Sequence, residues 1–375
     1  NITPLEGIPF VRLNLGSWGV SDLTPLKGMP LKHLYISSTK VQSLQALADL
    51  PLGFLGASHL EVNDLAPLSG IKTLKKLELA NTRMKDLTGL SGLRLEELDI
   101  SRSSVVDLSP LRGMPLKALI LNNTEITDLS PLRGMPLEKL EMRPVYDLKD
   151  LTPLRGMPLK DLKVNSHRLE SSVALSGMNF DELWLELSED ADIRAIPSFT
   201  ARIFRFTSDQ DFDVDWLADY PLEELFLRVR RFENFEKLGD FKNVKALDLK
   251  AENIVDISCF RGLALKEVGL HSANITHLEP LRGMKIETLN ISHSKVRDIR
   301  ALEDMELEEL YMHGCEELTD ISVLRNFKRL GRLSIPESAE NIEFLRDMEI
   351  AYISYTSSSM RAAEFWRRYD QKAER

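Results

Sequence analysis

Two sets of side chains in this 375-residue chain have types and spacings that could do chemistry. The first is His271, His293 and His313, about 21 residues apart. Imidazoles set side by side at a regular spacing bind a metal or respond to pH near neutrality. His293 falls one place out of step with the other two. No cysteine or carboxylate stands ready to complete a tetrahedral set, so no metal and no other cofactor is expected. The second set is Trp184, Arg205 and Phe226, each 21 residues after the last. Large rings and guanidinium groups dominate binding hot spots because they bury much area per side chain. The same three could instead satisfy one another as a cation–π ladder. Familiar catalytic motifs are missing: there is no GxxxxGK[ST] loop, no HExxH and no GxSxG. The NxS/T matches at Asn122, Asn274 and Asn290 are of a kind too common by chance to carry weight.

A spacing of about 21 is a property of the whole chain. Asp22 to Leu31 reads DLTPLKGMPL, Asp107 to Leu116 and Asp128 to Leu137 both read DLSPLRGMPL, and Asp150 to Leu159 reads DLTPLRGMPL. Recurrence at a fixed spacing marks a repeat array, in which each unit buries its apolar face against its neighbours. With the leucine after GMP as position 1, repeat starts run from Phe10 to Ile350, and the consensus is LxxLxLxxTxVxDLSPLxGMP.

Each position has a physical role. Positions 4 and 6, such as Leu119 and Leu121, alternate with polar neighbours, the pattern of a strand with one buried face. Position 9 is a small hydroxyl at Thr39, Thr82, Ser103, Thr124 and Ser294, suited to bonding backbone groups where the chain turns inward. Position 13 is often aspartate, as at Asp22, Asp64, Asp86, Asp107, Asp128, Asp256 and Asp298, which can accept from turn amides. Ser/Thr–Pro reads as the cap and first residue of a short helical turn that a glycine ends. The arginines before that glycine (Arg112, Arg133, Arg155, Arg261, Arg282) read as a solvated ladder. In this register Trp184, Arg205 and Phe226 share position 5 on consecutive strands about 4.8 Å apart. Glu186 and Arg228 flank them at position 7, and Tyr311 lies farther along the position-5 column. Cys259 falls in a turn and Cys315 at position 9, so they read as small buried residues. Two to three repeats separate them, beyond the roughly 7 Å reach of a disulfide.

This pattern resembles the leucine-rich-repeat superfamily, in the short-repeat form of bacterial internalin-like arrays. The DLSPLxGMPL turn also resembles repeats attached to bacterial serine/threonine kinases and surface proteins. The chain departs from that family at position 9, where asparagine is usual. The resemblance implies an α/β solenoid, a leucine-rich-repeat horseshoe with a parallel concave β-sheet and short helical turns on the convex side. It also implies a concave face that binds proteins, sometimes glycans or peptides.

The array is expected over residues 1–355, irregular at 180–242 where the DLSPLxGMP turn disappears, with a capping helix in 356–375. Ser358 or Ser359 would cap that helix, and Met360, Ala363 and Trp366 would cover the last core layer. The opening ITPLEGIPF, from Ile2, is already in register with later turns, so the array is expected to continue from a longer chain.

Composition narrows the function. A formal charge of −10 opposes a nucleic-acid partner, since a phosphate backbone calls for a dense basic surface. No apolar run approaches the roughly 18 residues of a membrane span. Two cysteines are too few for a disulfide framework. The expectation is a non-catalytic protein–protein interaction module, the sensing or docking part of a larger bacterial protein, at the cell surface or in the cytoplasm. An unknown protein partner would sit on the concave face around Trp184, Arg205, Phe226, Glu186, Arg228 and Tyr311. The alternative is a glycan-binding surface protein using Tyr35, Trp184, Phe226 and Tyr311.

Overall fold

The computed structural model describes residues 1–166, 168–169, 172–187, 199–271 and 273–373. They form two compact units, Asn1–Ala201 and Arg202–Arg375.

Unit 1 is a parallel sheet of nine strands in chain order: β1 (Arg12–Asn14), β2 (His33–Tyr35), β3 (Phe54–Gly56), β4 (Lys76–Glu78), β5 (Glu97–Asp99), β6 (Ala118–Ile120), β7 (Lys139–Met142), β8 (Asp161–Asn165) and β9 (Asn179–Glu186). Neighbours pair without any shift of the repeat register. Position 4 therefore forms one ladder of Leu34, Leu55, Leu77, Leu98, Leu119, Leu140, Leu162 and Leu183, all buried. After several strands the backbone turns through a left-handed residue at position 8, among them His59, Asn81 and Asn123. The position-9 hydroxyl then closes the turn. Thr39, Thr82 and Thr124 donate Oγ1–H to the carbonyls of Ile36, Leu79 and Leu121 at 2.8, 2.9 and 2.7 Å.

The cap of the helical turn differs from the sequence expectation. In Ser/Thr–Pro the hydroxyl residue is the first helical residue, and the residue before it is a leucine with no capping side chain. The acceptor is the aspartate two places earlier. The amides of Thr24, Ser109 and Ser130 donate to the Oδ1 atoms of Asp22, Asp107 and Asp128 at 2.8, 2.8 and 2.7 Å. A carboxylate is the stronger acceptor and reaches the amide two residues on. The intervening leucine is thereby free to be buried, as Leu23 and Leu108 are. Gly113 and Gly134 end the turn at φ 74° and 73°, a region a side chain would strain.

Unit 2 carries eight parallel strands of the same type: β10 (Thr200–Thr207), β12 (Glu224–Arg228), β14 (Ala246–Lys250), β15 (Glu267–Gly269), β16 (Thr288–Asn290), β17 (Glu309–Tyr311), β18 (Arg332–Ser334) and β19 (Tyr352–Ser354). Its core ladder is Phe204, Leu225, Leu247, Val268, Leu289, Leu310, Leu333 and Ile353. Where the consensus turn is missing, β11 (Asp211–Asp213) and β13 (Arg231–Glu233) form a small parallel sheet of their own. Aromatic rings fill the interior that the prolyl turn fills elsewhere. Phe206 meets Phe212 at 5.1 Å, Phe212 meets Trp216 at 5.2 Å, and Phe235 meets Phe260 at 6.0 Å. Residues 188–198 of the irregular stretch lie outside the described residues.

The end of unit 2 is covered by α1 (Ala362–Ala373). The segment before it lies along β19: the Ile353 amide donates to Met360 O at 2.9 Å and the Ala362 amide to Ala351 O at 3.0 Å. Edge groups that would otherwise template another strand are thus occupied. The helix begins too late for Ser358 or Ser359 to cap it, and Ala363 is exposed. The covering side chain is Phe365, 4% exposed and 5.1 Å from Tyr355, with Trp366 beside it. Among the described residues, no helix is long and apolar enough to cross a membrane.

Candidate functional site

Strand alternation decides which side chains of unit 2 face out. Phe204 and Phe206, Leu225 and Leu227, and Leu247 and Leu249 are buried, so Arg205, Phe226 and Asp248 between them stand on the open face, aligned across β10, β12 and β14. The Arg205 guanidinium carbon lies 3.6 Å from the Phe226 ring centre. Its Nη2 is 3.6 Å from Glu224 Oε2. A cation over a half-buried ring contributes about 0.5–2 kcal/mol, depending on how dry it is. In the position-7 column, Arg228 and Lys250 are exposed and face each other across β12 and β14. Beside them a groove of about 480 Å³ is lined by Arg228, Arg230 and Lys250 and by the carboxylates Asp209 and Glu252.

Asp248 is the carboxylate in line with Arg205 and Phe226 on this surface. Its Oδ1 is buried without a hydrogen-bond partner, and His271 Nε2 lies 3.4 Å from it. Burial would raise its carboxyl, but the His271 imidazole and the charges of Arg228 and Arg205 outweigh that and hold it below the usual carboxylate range. Gly269 leaves room next to it. A Cβ there would come within 3.0 Å of Asp248 Cγ.

Trp184 and Glu186 belong to unit 1. The Trp184 indole is half-buried and covered by Arg143, whose guanidinium carbon lies 4.1 Å from the ring centre. Glu186 Oε2 accepts from Asn165 Nδ2 at 2.6 Å. Tyr311 stands four strands beyond Phe226 in its column, and its hydroxyl donates to Glu309 Oε2 at 2.7 Å. Burial and then Glu309 push its phenol up. The structure therefore brings Arg205, Phe226 and Arg228 together, pairs Trp184 with Arg143 and Glu186 with Asn165, and leaves Tyr311 apart. Sequence reasoning passed over Arg143, Asp248 and Lys250. Arg143 and Lys250 occupy position 7, and reading that column in full would have found them.

The histidines are more closely linked than their offset implies. His313 Nδ1 lies 2.9 Å from Ser292 Oγ and 3.0 Å from Ser334 Oγ. His293, on left-handed backbone at φ 59°, sets its ring edge-on to His313 at 4.9 Å. Burial first, then the charges of His293 and His271, lowers the His313 pKa. Among the described residues no group of three His, Cys, Asp or Glu could hold a metal ion. Both cysteines are free. Cys315 is buried and donates to Ile291 O at 3.1 Å, and burial raises its thiol. Burial likewise pushes Cys259 up to about 11. Neither is a ready thiolate near neutral pH.

No sequence-family model matches the chain, and no curated protein matches it. Solved structures do. The leucine-rich-repeat ectodomain of the plant membrane receptor kinase GASSHO1/SCHENGEN3 from Arabidopsis thaliana, in complex with CASPARIAN STRIP INTEGRITY FACTOR 2, is 13% identical at a TM-score of 0.53; the match covers 88% of this chain and 51% of that one. The plant peptide hormone receptor RGFR1, in complex with RGF2, is 13% identical at a TM-score of 0.50, with 94% and 63% covered. An internalin, InlF, from Listeria monocytogenes is 15% identical at a TM-score of 0.45, with 93% and 87% covered. The chain thus spans about half of the GASSHO1/SCHENGEN3 ectodomain. At these identities the likeness speaks for the fold, and it agrees with the parallel strands, the leucine ladders and the 21-residue period: the chain is a leucine-rich-repeat solenoid of short repeats.

Proposed function

We propose that this protein is a non-catalytic protein–protein interaction module, the docking part of a larger protein, and that unit 2 binds through the open sheet face around Arg205 and Phe226. One observation carries this reading. Most of that column is small or polar, yet here a guanidinium lies over a phenyl ring on the open side. Binding hot spots are built of such groups, and an apolar ring is costly to leave in water without use. Trp184 under Arg143 offers the same chemistry on the open face of unit 1, with Glu186 beside it, and Tyr311 is an outlying contributor. The two plant receptor structures of like fold are each of a complex, with CASPARIAN STRIP INTEGRITY FACTOR 2 and with RGF2.

A photo-crosslinking residue in place of Phe226, with one in place of Tyr35 as control, tests the reading and captures the partner. We expect protein adducts at 226 well above those at 35. With the partner in hand, Phe226→Ala and Trp184→Ala should each weaken binding by about thirtyfold, the effect of losing roughly 2 kcal/mol. Tyr35→Ala should stay within about twofold. Folded Phe226 and Trp184 variants that bind like the parent would sink the proposal. Binding to a glycan array that the same variants abolish, with no protein adduct, would replace it with the glycan reading.

A further inference from the structure

The charges around the Phe226 ring say what kind of segment it meets. Unit 2 keeps the other arginines of its main strands within ion-pair reach of carboxylates: Arg202 with Glu223 at 3.5 Å, Arg205 with Glu224 at 3.6 Å and Arg332 with Glu309 at 3.2 Å. Arg230, also beside the groove, is held by Asp211 at 2.9 Å. Arg228 and Lys250 differ. Both are exposed, they stand opposite each other in register, and neither has a carboxylate within 4 Å among the described residues. Like charges directly opposite on a sheet repel. In a chain with 58 acidic and 48 basic side chains, pairing them would have needed one substitution. Asp248 lies 3.4 Å from His271, and it and Arg228 act on each other by charge without an ion pair within 4 Å. Two cations without an ion pair within 4 Å among the described residues, though with Asp209 and Glu252 in the same groove, thus adjoin the ring that Arg205 covers.

We propose that this face takes an acidic segment of a partner protein, with a carboxylate seated between Arg228 and Lys250 and a neighbouring apolar side chain packed against the Arg205–Phe226 pair. The inference rests on the reading of this face as a protein-binding surface and adds the chemistry of the partner. Charge complementarity selects the occupant. Two adjacent cations match one or two carboxylates and accelerate encounter. They are far too few for a polyanion, which the charge of −10 would repel.

The probe is an end-blocked fluorescent peptide rich in Glu and Asp with one Leu, compared with the same peptide carrying Gln and Asn. We expect the acidic peptide to bind at least about tenfold more tightly, and to weaken as salt is raised from roughly 50 to 500 mM. Arg228→Gln with Lys250→Gln should remove about tenfold of that binding, whereas Lys266→Gln, outside the patch, should not. Thermal melting checks that each variant folds. Three results overturn the inference: no preference for the acidic peptide, no loss in the double variant, or tighter binding of a single-stranded oligonucleotide that the double variant abolishes. If a partner crosslinked at position 226 binds the double variant unchanged, the charge inference fails while the protein-docking reading stands. If neither crosslinking nor peptide binding is seen, both fail.

Discussion

At the scale of single residues, the open face of unit 2 is held by pairs of unlike character: a guanidinium over a ring, and an imidazole against a carboxylate. His313 shows how such packing turns into pH dependence. Its ring is half-buried against Ser292, Ser334 and His293, and its pKa is lowered by burial first and then by neighbouring imidazolium charge. The unfolded chain therefore takes up a proton on this residue at a pH where the folded chain does not. Below about pH 6.5 this residue's contribution to folding stability falls as the solution is acidified. We expect the melting temperature to drop from pH 7.5 to about pH 5.5, and His313→Asn to flatten that drop while leaving the neutral-pH melt nearly unchanged. A variant with the parent's slope would show that the ring is not the group responsible.

At the scale of the element, the repeated turn is an aspartate device. Asp107 and Asp256 each accept from the hydroxyl and the amide of the serine two residues on, and Asp320 accepts from the Ser322 amide. Those serines, the hydroxyl first, hold their carboxyls below the ordinary range. A carboxyl with a depressed folded pKa lends stability that is complete above its unfolded value and lost as pH falls through the folded one. The array should therefore lose resistance to urea steeply below about pH 4. Replacing the three by asparagine keeps an acceptor and removes the titration. The triple variant should unfold along a shallower acid limb than the parent, and equal limbs would assign the acid sensitivity to other groups.

At the scale of the molecule, a solenoid is held by neighbours only, so its ends matter more than its middle. In unit 2 the last strand is closed by the 360–362 segment and by Phe365, 4% exposed. A chain ending at residue 355 would present the β19 edge and the apolar surface of Tyr355 and Ile353 to solvent. Exposed edges pair with other chains. We expect that truncation to melt several degrees lower and to self-associate in light scattering, and Phe365→Ala, by the usual loss for a buried ring of about 3–5 kcal/mol, to lower the melt without opening the edge. A truncated chain that stays monomeric with the parent's melting temperature would mean that α1 covers nothing of consequence.

The sequence by itself determined the period, the strand register and the buried positions. Strand alternation has period two and each repeat packs on the next, so Leu119 and Leu121 are read as core from their own spacing. The position-5 column followed from the same logic, and Arg205 beside Phe226 was legible in it. Contacts between columns were not. Arg143 reaches the Trp184 ring from two strands away, and His271 reaches Asp248 from the next strand. A one-dimensional pattern records which face a residue is on and not the rotamer that chooses its partner. Competition between acceptors was likewise settled only in three dimensions: the serine of Ser–Pro is a good cap by type, yet the charged oxygen of the preceding aspartate holds its amide. In the irregular stretch the period loses its consensus turn. There an interior of phenylalanines replaces the leucine–proline filling, because rings that must meet edge and face are placed by volume and not by spacing.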